Sequence, residues 1–250
     1  MVGFLDLPRE IRDLCYELAF QVSGTIFIYS SDFKAYRPRL RGRIVEYSSG
    51  SLLQPERINK CIPIGFIKTC RQMHAECTAV LYSRNSFRLY MDNADFAAPY
   101  RPLIRHVTFT LEAGRGIYSH NPEVMCYWWR RVFWPNVIDT STKILHNYPN
   151  LQRLTLPIKS NDPSHIWRPA FFSFGHITKE QRTAQAAQWL RLNCPINNDR
   201  LRQVLRLEIQ QSASFLKMMN KTNESFRLLE EEDEDYWDGS ELAQAWEKSL

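Results

Sequence analysis

Glycine is scarce in this chain, nine residues in 250, and the scarcity removes whole classes of chemistry. Absent are the Gly-x-Gly-x-x-Gly fingerprint of dinucleotide binding, the Walker-type phosphate loop and the Gly-x-Ser-x-Gly nucleophile elbow. Each needs glycine where the backbone turns sharply or lies against a ligand. Gly114-Arg-Gly116 is too short for a phosphate loop and reads as a turn. His-Glu-x-x-His is missing too, and the six histidines are scattered, none at a spacing that suggests a general base. The expectation is a protein without a catalytic centre, a cofactor or a resident metal.

Long apolar runs are also lacking. Asp6, Arg9, Glu10, Arg12, Asp13 and Glu17 break up the first twenty residues, so they do not make the apolar core of a signal peptide. No later stretch is apolar enough to span a bilayer. A soluble protein of the cytosol or nucleus, without a membrane partner, is expected. Cys15, Cys61, Cys70, Cys77, Cys126 and Cys194 lack the dense spacing of a secreted disulfide framework and read as reduced thiols. Cys-x-x-Cys is absent. Cys70, His74 and Cys77 do fall at i, i+4 and i+7, with Cys61 nearby, so a zinc site is conceivable, but the spacing suits a buried, hydrogen-bonded helix face better.

What the chain does hold is apolar and aromatic mass, 44% and 13% of its residues, enough to bury a sizeable core. Its charge is polarised. Residues 221–250 carry three Lys/Arg against ten Asp/Glu, leaving 29 against 17 in residues 1–220. A body of +12 with a tail of −7 can attract nucleic acid, anionic lipid or an acidic protein surface, and charge alone does not choose.

Leu7-Pro8-Arg9-Glu10 is a helix start, with Pro where no N–H is needed and an acid in the first turn. Ile11, Leu14, Cys15, Leu18 and Ala19 then share one stripe of a helix over 8–20. Residues 25–29 and 43–47 predict a hairpin with a long basic loop. Helical spacing returns from Ile67, with Cys70, Met73, His74, Cys77, Val80 and Leu81 on a common face, and strands follow at 86–91 and around Val107, Phe109 and Leu111. Helices are predicted over 122–134 and 137–147, a strand over 151–156, and a helix over 179–193 behind a capping box of Thr178 and Gln181. Ile144, Leu145, Leu151, Leu154 and Leu156 make one degenerate leucine-rich unit, which residues 201–209 repeat weakly. The spacing of roughly 50 residues exceeds the ~20–29 of a regular repeat, so a mixed α/β layering is expected, not a solenoid. Glu230 to Asp235 repels itself and predicts a mobile run within an acidic tail over 230–250.

The segment from Phe4 through Leu7-Pro8-Arg9-Glu10-Ile11-Arg12 to Leu18 resembles the opening of an F-box. Together with Cys70-Arg-Gln-Met-His-Ala-Glu76 and Leu81-Tyr-Ser-Arg-Asn-Ser-Phe87 it resembles F-box-like proteins of filamentous fungi. About 45 residues, including the hairpin, separate the two blocks, where a compact F-box has a short connection. With the patterning of the rest of the chain, the expected fold is α+β or mixed α/β: F-box-like helices with an inserted hairpin (1–92), an irregular leucine-rich-like helix and strand body (93–229) and the acidic tail (230–250), the resemblance itself covering roughly the first 90 residues. The resemblance implies a substrate-recognition subunit that docks on the Skp adaptor of a cullin-RING ubiquitin ligase. No enzymatic activity or cofactor comes with it.

Three candidate surfaces follow. Leu5, Leu7, Pro8, Ile11 and Leu14 have the anchor spacing of a helix laid in an apolar groove, and equally the spacing of a helix buried in its own core. Arg37, Arg39, Arg41 and Arg43 alternate beside Tyr36, so an extended backbone directs them to one side, as nucleic-acid phosphates require; a solvated basic loop is the plainer alternative. Tyr127 to Trp134 concentrates Trp, Tyr and Arg, the residues of interface hot spots, yet Met125, Trp128, Trp129, Val132 and Phe133 recur at core spacing, with Trp129 or Trp134 placed to reach a rim. An adaptor is the leading reading. An α/β interaction module without a ligase link and a nucleic-acid-binding protein are the alternatives.

Overall fold

The computed structural model describes residues 3–30, 40–45, 47–48, 51–52, 55–89, 96–109, 111, 121–159, 178–210 and 239–250. The fold is mixed α+β, in two units. The first comprises Met1–Phe109 with His146–Leu154, the second Thr110–Leu145 with Thr155–Leu250. The boundary expected near residue 92 is therefore displaced. A strand over His106–Phe109 pairs in parallel with one over Ser86–Leu89, and that ladder holds residues up to 109 in the first unit.

In the first unit α1 (Arg9–Phe20) leads into β1 (Thr25–Ser30) and β2 (Leu40–Val45), an antiparallel hairpin. A small ladder joins β3 (Tyr47–Ser48) to β4 (Ser51–Leu52), and β5 (Glu56–Arg57) extends β2. Short α2 (Ile58–Cys61) and α3 (Ile64–Ile67) precede α4 (Arg71–Arg84), β6 (Ser86–Leu89) and β7 (His106–Phe109). Strand order is β5-β2-β1-β6-β7, with β1, β6 and β7 parallel. Alternation sorts the two faces. Ile26, Ile44, Phe87 and Val107 stand in one cross-strand row and are buried, whereas the next row holds Arg57, Arg43, Phe27, Arg88 and Thr108, none of them buried. Gly42 lies close beneath Ile58: a Cβ there would run into the end of the Ile58 side chain, which would have to shift.

Asn85 locks the end of α4 to the end of α1. Its amide donates to the carbonyls of Phe20 (2.8 Å) and Leu81 (2.9 Å), and its oxygen accepts from the N–H of Val22 (2.9 Å). At 1% exposure no water can replace those bonds. Asn85→Ala is expected to cost about 2 kcal/mol, measured by urea unfolding, because it strands buried backbone groups of both helices. A loss below about 0.5 kcal/mol would contradict this accounting.

In the second unit α5 (Pro122–Trp128) runs through a π turn (Trp129–Phe133) into α6 (Trp134–Asn147), one continuous helical run where the sequence predicts two helices. Pro135 supplies the cause: it lacks an N–H and its ring crowds the preceding turn, and the wider turn, with the N–H of Trp134 reaching the carbonyl of Trp129, relieves that. There follow β8 (Arg153–Lys159), α7 (Lys179–Asn193), α8 (Asp199–Val204), β9 (Leu205–Gln210) and α9 (Gly239–Ser249). Strands β8 and β9 are neighbours, and both expected helix-to-strand units are present as α6–β8 and α8–β9.

The capping box is present, with the N–H of Gln181 donating to the Thr178 hydroxyl (3.3 Å) and the N–H of Thr178 to the Gln181 carbonyl oxygen (3.0 Å). The acidic run 230–235 lies outside the described residues. The acidic tail expected over 230–250 nonetheless ends in a folded element, since α9 packs on its own unit. Trp246 is 1% exposed, donates to the carbonyl of Leu205 (2.8 Å) and meets Trp134 at 5.7 Å between ring centroids. Arg191 donates to the carbonyls of Lys248 and Ser249 at the end of α9. An aromatic anchor outweighs a neighbouring run of like charge.

Candidate functional site

The amino-terminal helix is turned opposite to what its apolar stripe leads one to expect. At 3.6 residues per turn, Arg12, Tyr16 and Phe20 lie about 170° around α1 from Ile11, Leu14 and Leu18. The structure buries the first set. The second faces outward, with Ile11 45%, Leu14 57% and Leu18 88% exposed. Leu5 is 37% exposed, Pro8 is exposed and Leu7 half-buried. The docking and core readings of Leu5, Leu7, Pro8, Ile11 and Leu14 therefore separate: the ridge is a surface.

A buried carboxylate on α4 holds α1 this way round. Arg12 grips Glu76 with a two-pronged fork, Nε to Oε2 and Nη2 to Oε1, both 3.0 Å. The Tyr16 hydroxyl donates to the same Oε2 (2.8 Å), Gln72 donates to Oε1 (3.1 Å), and Arg9 pairs with Oε1 at 2.8 Å. Four donors satisfy the carboxylate, as its burial demands. Their hydrogen bonds, Arg12's foremost, lower the Glu76 pKa to about 2 against the opposing effect of burial. Burial first, then the bond to Glu76, raises that of Tyr16. The remaining Arg12 nitrogen donates to the carbonyls of Leu5 (3.1 Å) and Leu7 (2.6 Å). The guanidinium thus fixes the Leu-Pro element itself, so the ridge is held rigid from beneath. Sequence reasoning selects the outward residues of α1 but misses Arg12, Tyr16 and Glu76; a charged residue on a helix face opposite the stripe, with an acid on a later helix, was the available signal.

The second block also acquires roles. The Cys70 sulfur caps α4, accepting from the N–H of Met73 (3.4 Å), and the His74 ring nitrogens lie 3.1 Å from the carbonyl of Ile67 and 3.0 Å from the Tyr100 hydroxyl. Burial pushes the Cys77 thiol up to about 11, and the Cys61 thiol, also raised, donates to Glu56 (2.8 Å). Among the described residues no three His, Cys, Asp or Glu gather to hold a metal ion, and no helix is long and apolar enough to cross a membrane.

Of the arginine strip, Arg37 and Arg39 lie outside the described residues. Arg41 and Arg43 alternate on β2 and are exposed, with Arg57 facing Arg43 across the ladder.

In the second unit Trp129 and Trp134 are buried, not at a rim. Their indoles donate to the Cys194 sulfur and the Pro195 carbonyl, both at 3.0 Å. The π turn keeps Met125, Trp129 and Phe133 in register inward, and Val124, Tyr127, Trp128 and Val132 stand exposed beside Arg130 and Arg131. Trp128 and Val132, expected in the core, are thereby corrected to the surface.

No family model matches the chain, and no curated protein or solved structure resembles it.

Proposed function

We propose that the chain is a non-catalytic protein-interaction adaptor whose Leu-Pro element and first helix dock on the Skp adaptor of a cullin-RING ubiquitin ligase. One observation carries the reading: α1 keeps a charged and aromatic face inside and leaves Ile11, Leu14 and Leu18 in water. Contiguous apolar surface on a rigid element is costly unless a partner covers it. Spacing of i, i+3 and i+7 is that of helix-in-groove recognition, and the occupant follows from the F-box resemblance of this segment. The Tyr127, Trp128 and Arg131 face supports a second polypeptide contact, that of a target. Binding of the purified chain to the Skp adaptor, measured by calorimetry, is the test. An intact chain that does not bind leaves an α/β interaction module without a ligase link.

A second reading, nucleic-acid binding, is favoured by Arg41, Arg43 and Arg57 on one side of the sheet. If these residues contact phosphates, Arg41→Gln with Arg43→Gln reduces the slope of log affinity against log salt by about two in filter retention with single-stranded RNA. An unchanged slope removes the strip from consideration.

A further inference from the structure

The two faces of the first-unit sheet are sorted by charge as well as by burial. Ile26, Ile44, Phe87 and Val107 point to the covered face, and Gly42, close to Ile58, marks the side on which α2 lies. Glu56 stands opposite Ile44 and belongs to that face, where it accepts from the Cys61 thiol (2.8 Å). The other face carries Arg41 and Arg43 on β2, Arg57 on β5, Phe27 on β1 and Arg88 on β6. Among the described residues of these five strands it carries no Asp or Glu.

Arg41, Arg43 and Arg57 are exposed, Phe27 and Arg88 half-buried. Phe27, Arg43 and Arg88 also interact with other residues, so the charge directed outward is reckoned from Arg41 and Arg57, which alone leave the face positive. An unburied aromatic ring stands in the middle of this surface. Neighbouring strands lie about 4.8 Å apart and alternate residues of one strand about 6.8 Å. Phe27 is therefore roughly 8 Å from Arg41 and roughly 10 Å from Arg57 along the sheet, distances that arginine side chains bridge by leaning inward. A nucleotide matches that arrangement, with a flat base for the ring and a phosphate on either side for the guanidinium groups. An acidic peptide or a lipid headgroup supplies the charge without the flat ring, and the bases of a duplex are already stacked on one another.

We propose that this face binds single-stranded nucleic acid, with one base lying on the Phe27 ring and the flanking phosphates held by Arg41 and Arg57. The inference rests on nucleic-acid binding by the basic strip and adds to it the strandedness of the ligand and the side chain that reads it.

The test compares labelled oligouridylate, oligodeoxyuridylate and a duplex RNA of the same length on the full chain, by fluorescence anisotropy at one low salt concentration. The single strands are expected to bind about tenfold more tightly than the duplex, the effect of one stacked base. Phe27→Leu keeps apolar bulk but no ring, so it loses about tenfold on the single strands and leaves the duplex affinity unchanged. Phe27→Tyr keeps the ring and binds as the unaltered chain does. A photo-cross-link from iodouridine in the oligonucleotide, mapped by mass spectrometry on the unaltered chain, falls on β1 and depends on no variant folding. Equal affinity for single strand and duplex, an unchanged affinity in folded Phe27→Leu, or cross-links confined to other segments overturns the proposal while nucleic-acid binding stands. Absence of binding to all three ligands removes the nucleic-acid reading, and this inference with it. Tighter binding of oligouridylate than of oligodeoxyuridylate assigns the face to RNA, the reverse to DNA, and equal binding to single strands of either sugar; each supports the proposal.

Discussion

Replacing Glu76 by alanine is expected to lower the unfolding free energy by about 3 kcal/mol, because removing one partner of a buried ion pair strands the other. Arg12 would keep its charge at 9% exposure with only the carbonyls of Leu5 and Leu7 as acceptors, and the Tyr16 hydroxyl would lose its oxygen. A domain of this size should show a fall of about 10 °C in thermal midpoint. Glu76→Gln separates shape from charge. It retains an acceptor for Arg12, so it should cost less than alanine. The acid limb supplies the sign. A carboxyl held at about 2 in the folded chain, against an ordinary 4.5, adds stability that is full above pH about 4.5 and lost as pH falls towards about 2. In Glu76→Gln that limb flattens. If alanine costs less than about 1 kcal/mol, or the acid limb survives in Glu76→Gln, the carboxylate is not what holds α1 in its orientation.

That orientation is also where sequence reasoning reaches its limit. The spacing of Ile11, Leu14 and Leu18 establishes that α1 has an apolar stripe. It cannot say which way the stripe points, because the deciding contact joins Arg12 to a residue 64 positions later. Features written within a few residues of one another were legible: the capping box of Thr178 and Gln181, the Leu-Pro helix start, and the alternation of Val107 and Phe109. Features that depend on competing local terms were not. Pro135 shifts the register of the helix before it, so Trp128 and Val132 moved from expected core to surface. In the last segment the acidic run dominated the composition, although Ala245 and Trp246 sit within it as buried anchors. The domain boundary was missed for a related reason, since a parallel pairing between β6 and β7 leaves no mark on either strand alone. The candidate site was thus half visible: its outward residues could be read from the sequence, and the buried clamp that presents them could not.

The clamp and the ridge can be tested apart, and the second expected result depends on doing so. Leu14→Lys with Leu18→Lys should abolish binding to the Skp adaptor while leaving the thermal midpoint of the chain nearly unchanged. Exposed positions tolerate substitution within about 0.5 kcal/mol, and these two lysines suit the helix. Position 14 lies four residues after Glu10 and three before Glu17, and position 18 falls in the last turn, where a cation complements the dipole. Binding behaves differently. Each leucine buried in a groove contributes roughly 1.5–3 kcal/mol, and an ammonium in its place adds a desolvation cost, so the pair should weaken affinity by more than about 100-fold. A stable variant that still binds moves the contact away from α1. A variant that unfolds means that these side chains are core after all, since water-facing leucines cannot carry a fold. Loss of binding at constant stability is the one outcome that requires the ridge to be covered by another polypeptide. The Glu76→Ala variant provides the converse, losing stability and binding together, because the groove partner meets a helix no longer held in place.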